Sequence, residues 1–229
     1  VSGNEHEFVI ENIKPGSDRP YYGGDAYRKY QGVEFLFNKR FSNRWQMMLS
    51  YVYSQTKGTI DNGWGDDIGW NGRNSQQPGD PNFWINADGK ATVDPTHMLK
   101  VQGTYILPFD ISLNVYFRSI SGYTWTQRFR TRPLNQGRVT FFTEPRGSRR
   151  YDTQNCLDLR LEKIFTLAAK YRLGLMVDVF NVFNDDTITS WGTRIGYDWN
   201  EGEYPSTDGH ELYGIVNPRQ LRLGIRLIF

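Results

Sequence analysis

The chain has 229 residues, with 27 Lys and Arg against 25 Asp and Glu, a net charge of +2 and a mean hydropathy of −0.62. That length suits one large β domain or two small ones, and the near-neutral balance without a recognition motif gives no reason to expect a nucleic-acid partner. No run approaches the roughly 18 uncharged apolar residues of a spanning helix, which excludes a helical membrane protein but not a barrel, whose alternating strands average to moderate polarity.

The first residues, Val1-Ser2-Gly3-Asn4, are not a cationic segment followed by an apolar stretch, so no signal peptide is expected here. A first strand is expected around His6 to Asn12, close to the start, and the chain reads as the C-terminal piece of something longer. A second strand falls near Tyr30 to Lys39, with Val33, Phe35 and Phe37 against Glu34 and Leu36. In the third, Trp45, Met47, Leu49, Tyr51 and Tyr53 share one face. The fourth sets Leu99, Val101 and Tyr105 against Lys100, Gln102 and Thr104; the fifth sets Ile111, Leu113, Val115 and Phe117 against Asn114 and Arg118. The sixth alternates Leu157, Leu159 and Leu161 with Asp158, Arg160 and Glu162, and the seventh alternates Leu173, Leu175, Val177 and Val179 with Arg172, Gly174 and Asp178. The last runs Leu221, Leu223, Ile225, Leu227 and Phe229 against Arg222 and Arg226. Period two throughout predicts β-strands with one apolar and one polar face.

The links between these eight strands alternate in length. Those at 38–43, 107–110 and 166–169 are tight, whereas 55–95, 122–153 and 184–212 are long and rich in Gly, Asn, Asp, Pro and Trp. Long structureless loops are uncommon in compact soluble domains, while an outer-membrane barrel has short turns at its periplasmic rim and long loops outside. Placing Phe229 at the periplasmic rim puts every short link on that side. Aromatics fit too: Trp45, Tyr105, Phe109, Phe165 and Tyr171 flank short turns, and Tyr51, Tyr53, Tyr123 and Trp125 stand near the long loops, where amphipathic rings meet a membrane boundary. The fold class expected is all-β: an antiparallel transmembrane β-barrel wall. The competing architecture is a β-sandwich that buries the same apolar faces.

Candidate sites follow from the faces. Lys100, Arg118, Asp158, Arg160, Glu162, Arg172, Asp178, Arg222 and Arg226 should line the lumen, and Leu221, Leu223, Ile225, Leu227 and Phe229 should meet outer-membrane lipid. A hairpin turning around Leu167 would set Glu162 directly across from Arg172, and Asp178 is expected to satisfy a neighbouring arginine. Trp64, Trp70 and Trp84 either stack on a ligand or pack their own loop, and both readings stay open. The Asp61 to Asp67 segment has oxygen donors suited to calcium but lacks the twelve-residue pattern with a closing Glu, so a plain Gly/Asp-rich loop is expected. The Arg146, Arg149, Arg150 cluster reads as a solvated loop. Cys156 is the lone cysteine, which excludes an internal disulfide. The three histidines stand near no nucleophile or metal spacing; no cofactor and no enzyme activity are expected.

Four stretches, in order, resemble one family: Pro133-Leu134-Asn135-Gln136-Gly137, Glu144-Pro145-Arg146-Gly147-Ser148-Arg149-Arg150, Asp178-Val179-Phe180-Asn181-Val182-Phe183-Asn184, and Asn217-Pro218-Arg219-Gln220 before the last strand. From about Tyr30 onward the chain resembles the C-terminal part of TonB-dependent outer-membrane receptors, of the type with an N-terminal carboxypeptidase-regulatory-like domain. The resemblance implies a 22-stranded barrel closed by a plug. It also implies import of a scarce small-molecule, glycan or peptide ligand with energy from the TonB complex, and a terminal strand read by the barrel-assembly machinery. Eight strands would then be the last third of the wall, with the plug and the earlier strands lying outside residues 1–229. The alternatives are a complete eight-stranded barrel with an adhesin or structural role, and a secreted carbohydrate-binding sandwich.

Overall fold

The computed structural model describes residues 27–59, 85–92, 94–131, 140–167, 171–196 and 211–229. In chain order the strands are β1 (Arg28–Ser42), β2 (Trp45–Gly58), β3 (Gly89–Lys90), β4 (His97–Ile106), β5 (Ile111–Ile120), β6 (Thr124–Trp125), β7 (Arg128–Arg130), β8 (Thr140–Phe142), β9 (Arg149–Arg150), β10 (Gln154–Thr166), β11 (Arg172–Phe180), β12 (Ile188–Trp191), β13 (Arg194–Gly196), β14 (Leu212–Ile215) and β15 (Gln220–Ile228). The fold is all-β. Seven long strands form one antiparallel sheet in the order β1-β2-β4-β5-β10-β11-β15, with β3 beside the end of β2. They are the predicted strands from Tyr30 onward; the segment around His6 lies outside the described residues. Among the described residues the outer edges of β1 and β15 are unpaired, so the sheet is open.

Register decides what each face holds. Apart from the bulge between Lys39 and Ser42 and the two β2–β3 pairs, every cross-strand partnership in the long sheet joins two even or two odd residues: Glu34 with Val52, Ser50 with Lys100, Lys100 with Arg118, Arg160 with Asp178, Asp178 with Arg222. Partners directly opposite project from the same side, so the alternation within each strand carries across all seven. Even residues form a polar face and odd residues an apolar one.

The short links gather at one rim. Asn43 and Arg44 both have positive φ, as a two-residue hairpin turn with the twist of its strands requires. The Ile106 amide donates to the Arg44 carbonyl (2.8 Å), Arg44 lies 3.8 Å from the Asp110 carboxylate, and Lys163 bonds the Phe109 carbonyl. These contacts tie the β1–β2, β4–β5 and β10–β11 ends together, and Ile228 opposite Arg172 brings the end of β15 to the same rim.

The opposite rim corrects the expectation of structureless loops. Segments within 122–153 and 184–215 fold into strands of two to four residues, which pair as β6-β9, β13-β7-β8 and β12-β14. One of these pairings, β13 with β7, is parallel, whereas antiparallel pairing alone was expected. Strands so short leave no period in the sequence; long-range hydrogen bonds hold them.

Candidate functional site

The polar face is built around Asp178. Partnership with Arg160 on one side and Arg222 on the other places three charges in a straight row over β10, β11 and β15. Arg160 donates from Nε (2.5 Å) and Nη2 (3.2 Å), and Arg222 donates from Nε (2.7 Å). The carboxylate is 4% exposed, so unpaired it would be costly; both oxygens are occupied. The Arg222 guanidinium also lies 5.0 Å from the centre of the Phe180 ring. Asp158 accepts the Asn181 amide (2.8 Å) and so fixes the end of β11.

Glu162 corrects the sequence reading. Its partner across the hairpin is Met176, because β10 runs on to Thr166 and Thr166 pairs with Arg172. The hairpin closes with the Leu167 amide on the Tyr171 carbonyl (2.9 Å), two residues further along than the expected turn centre. Glu162 instead bonds Arg226, two strands away. That diagonal crosses Gly174, where an added Cβ would meet Glu162 Oε1 at 3.5 Å and Arg226 Nε at 3.6 Å. Gly174→Ala should therefore be nearly neutral, whereas Gly174→Leu should displace the bridge and cost about 1–2 kcal/mol. The check is that Glu162→Gln destabilises the parent but adds nothing in the Gly174→Leu background, read from urea-unfolding midpoints.

Lys100 and Arg118 stand directly opposite on this face, both exposed, and Arg118 points a guanidinium nitrogen at Cys156 Sγ (3.7 Å). The predicted set brings six cations (Lys100, Arg118, Arg160, Arg172, Arg222, Arg226) and three carboxylates (Asp158, Glu162, Asp178) onto one face, an excess of +3. A groove of about 760 Å³ runs along it, lined by residues including Gln102, Asn114, Arg160, Glu162 and Asp178. Each of these three carboxylates is engaged by arginine or a backbone amide. Among the described residues no group of three or more His, Cys, Asp or Glu could hold a metal ion.

The apolar face is uncovered. Leu221, Leu223, Ile225, Leu227 and Phe229 are all more than half exposed, as are Val33 and Phe35 at the other end of the sheet, and Leu161, Leu175 and Val177 between them are at least 40% exposed. The few buried apolar residues, Ala87, Ala91, Trp125, Phe142, Cys156 and Val216, include none from this face. Outside the β1 bulge, its charged residues on the long strands are Lys29 and Lys57 near the long-loop rim and Lys39 and Lys163 near the short-turn rim. Lys39 places its ammonium 3.9 Å from the centre of the Trp45 ring. Ten residues of β1 separate Lys29 from Lys39, about 33 Å along the strand, or about 25 Å at a 40° tilt. That is the height of a barrel's lipid-facing band.

No family model matches the chain, and no curated protein matches it. Among solved structures it is similar to the ferripyoverdine receptor of the outer membrane of Pseudomonas aeruginosa bound to ferripyoverdine, with 14% identity and a TM-score of 0.48 over 88% of this chain and 20% of that one. It is also similar to P. aeruginosa FpvA bound to a heterologous pyoverdine, with 15% identity and a TM-score of 0.49 over the same shares. The chain spans 20% of the length of those receptor chains.

The long-loop rim holds the residues that the sequence placed wrongly. Arg146 is 2% exposed, not solvated: it donates to the carbonyls of Lys90 (3.2 Å), Thr59 (3.4 Å) and Gly58. Arg150 donates to the carbonyls of Asp94 (2.6 Å) and Gly122 (2.5 Å). These arginines tie the loop segments together through backbone carbonyls. Gly147 has φ 70 and packs against Lys90, a conformation L side chains resist. Trp125, expected at a membrane boundary, is buried instead, edge-on to Trp191 at 5.2 Å, stacked with Tyr151 at 6.0 Å and covered by Arg149. Trp64, Trp70, Trp84 and the Asp61 to Asp67 segment lie outside the described residues.

The Asp178 to Asn184 stretch ends β11 with a clamp. Asn181, buried at φ 49, donates from Nδ2 to the carbonyls of Asp185 (2.9 Å) and Asn217 (2.8 Å), which joins β11 to the approach of β15. Burial would raise the Asp185 pKa, but bonds from the Thr187 hydroxyl and the Asn155 and Thr187 amides outweigh it and hold the carboxyl below its ordinary value. A depressed pKa contributes stability above the unfolded value near 4, lost as pH falls through the folded value. Hydrogen exchange at the Asn155 and Thr187 amides, corrected for intrinsic rate, should therefore rise on acidification below about pH 4. In Asp185→Asn that rise should be absent, and protection that grows on acidification would contradict the assignment.

Proposed function

We propose that the chain is a wall segment of an outer-membrane β-barrel receptor, with the apolar face against lipid and the polar face on the lumen. The observation that carries this is the separation of faces over seven strands, interrupted only at the β1 bulge, with the apolar side exposed. A soluble sandwich would bury that side. A complete eight-stranded barrel would close β1 and β15 directly or through one further strand, around an interior filled by side chains.

In this reading the short-turn rim is periplasmic and the long-loop rim extracellular. The loops capture a solute, and the lumen wall, with its cationic excess, passes a polar or anionic one inward in the parent receptor, energised by the TonB complex. Phe229, Leu227, Ile225 and Leu223 serve both lipid contact and recognition by the barrel-assembly machinery.

The test is single-cysteine labelling along 221–227 in isolated outer membranes. A fluorophore at 221, 223, 225 and 227 should be quenched by lipid-borne nitroxides, and one at 222, 224 and 226 by aqueous iodide. Loss of the alternation, or recovery of the protein in the soluble fraction, would overturn the proposal.

A further inference from the structure

Lys29, Lys57 and Lys90 stand in one row. Lys29 is the partner of Lys57 across β1 and β2, and Lys57 is the partner of Lys90 across β2 and β3. Residues directly opposite have Cβ atoms about 4.5–5.5 Å apart, and like charges there are destabilising. Among the described residues no carboxylate lies within ion-pairing distance of these lysines; Asp88, two residues from Lys90, accepts the Tyr27 hydroxyl (2.7 Å).

The scaffold under the row is fixed. The Lys90 amide donates to the Arg146 carbonyl (3.0 Å) while Arg146 Nε donates to the Lys90 carbonyl (3.2 Å), and Arg146 also holds the Gly58 carbonyl beside Lys57. Three lysines therefore start from one level of the sheet, on the apolar face, at the long-loop rim. Below them on the same face come Gln31 opposite Gln55, and then exposed Val33, Phe35, Tyr51 and Tyr53.

We propose that this row binds the phosphate of a lipid headgroup in the leaflet at that rim, with the acyl chains lying along β1 and β2. Charge complementarity selects an anion, and continuity with the apolar face selects a lipid over a free ion. Lysine suits the task, as a compact cation on a long apolar stem. The inference rests on the membrane reading above.

The experiment takes the protein extracted from outer membranes in a mild zwitterionic detergent. Native mass spectrometry follows titration with phosphatidic acid, phosphatidylcholine or inorganic phosphate. Phosphatidic acid should bind at least ten-fold more weakly to K29Q/K57Q/K90Q than to the parent, and about three-fold more weakly to K57Q alone, which guards against misassembly of the triple variant. K163Q, at the other rim, should bind as the parent does. Equal binding by parent and triple variant overturns the inference, as does inorganic phosphate competing at the same concentration as the lipid. A protein that fractionates with outer membranes yet shows either result loses this inference alone; one that does not fractionate there loses the membrane reading too.

Discussion

Arginine at position 225 is expected to destabilise the wall by about 2–4 kcal/mol, the range for a cation placed on a barrel's lipid face near its midplane. The size of the effect is the point. Ile225 is 76% exposed, and in water a substitution at so exposed a side chain changes stability by about 0.5 kcal/mol or less. The two environments therefore predict effects several-fold apart for the same change. Gln102 provides the matched control: it is exposed on the polar face, between Met48 and Tyr116. Gln102→Arg should cost less than about 1 kcal/mol, because its new charge stays hydrated. Urea unfolding of the protein reconstituted in phospholipid vesicles measures both. Equal costs at 225 and 102 would mean that the odd face does not meet lipid.

The division of each long strand into a polar and an apolar face was legible in the sequence because it is local. A strand's period is two, and Leu221 to Phe229 shows it without reference to any other residue. The rims were legible for the same reason, since link length is local. Register was less so. Expecting Glu162 across from Arg172 required the turn centre, and a shift of two residues in that centre moves a pairing by four. The polar face survived the error, because an even shift preserves parity. The loop layer was invisible. Arg146 bonds residues 56 to 88 positions away, and no window of sequence records that Gly58 and Lys90 wait for it. Trp125 failed likewise: its position beside a strand end suggests a membrane boundary, but Tyr151 and Trp191 arrive from two other segments to bury it.

Removal of Asp178 is the second large effect expected. Asp178→Ala leaves Arg160 and Arg222 flanking an empty position and takes away the acceptor of three hydrogen bonds. Breaking a fully buried pair from one side costs about 3–5 kcal/mol. Here the arginines are 41% and 58% exposed in their side chains, so water reaches them and about 1.5–3 kcal/mol is the appropriate range. Asp178→Asn should cost less, since the amide oxygen still accepts one arginine. The diagnostic is non-additivity. Arg222→Met alone should cost about 1 kcal/mol, yet in the Asp178→Ala background it should be neutral or stabilising, because it removes a charge without a partner. Additivity within about 0.5 kcal/mol would show that the row contributes no coupling, and the two arginines would then be independent wall residues. The same variants bear on the lumen proposal, because Asp178→Ala raises the cationic excess of this face while leaving the apolar face untouched. Uptake of an anionic solute by the parent receptor should then be maintained or increased as stability falls. A parallel loss of both would assign Asp178 to folding alone.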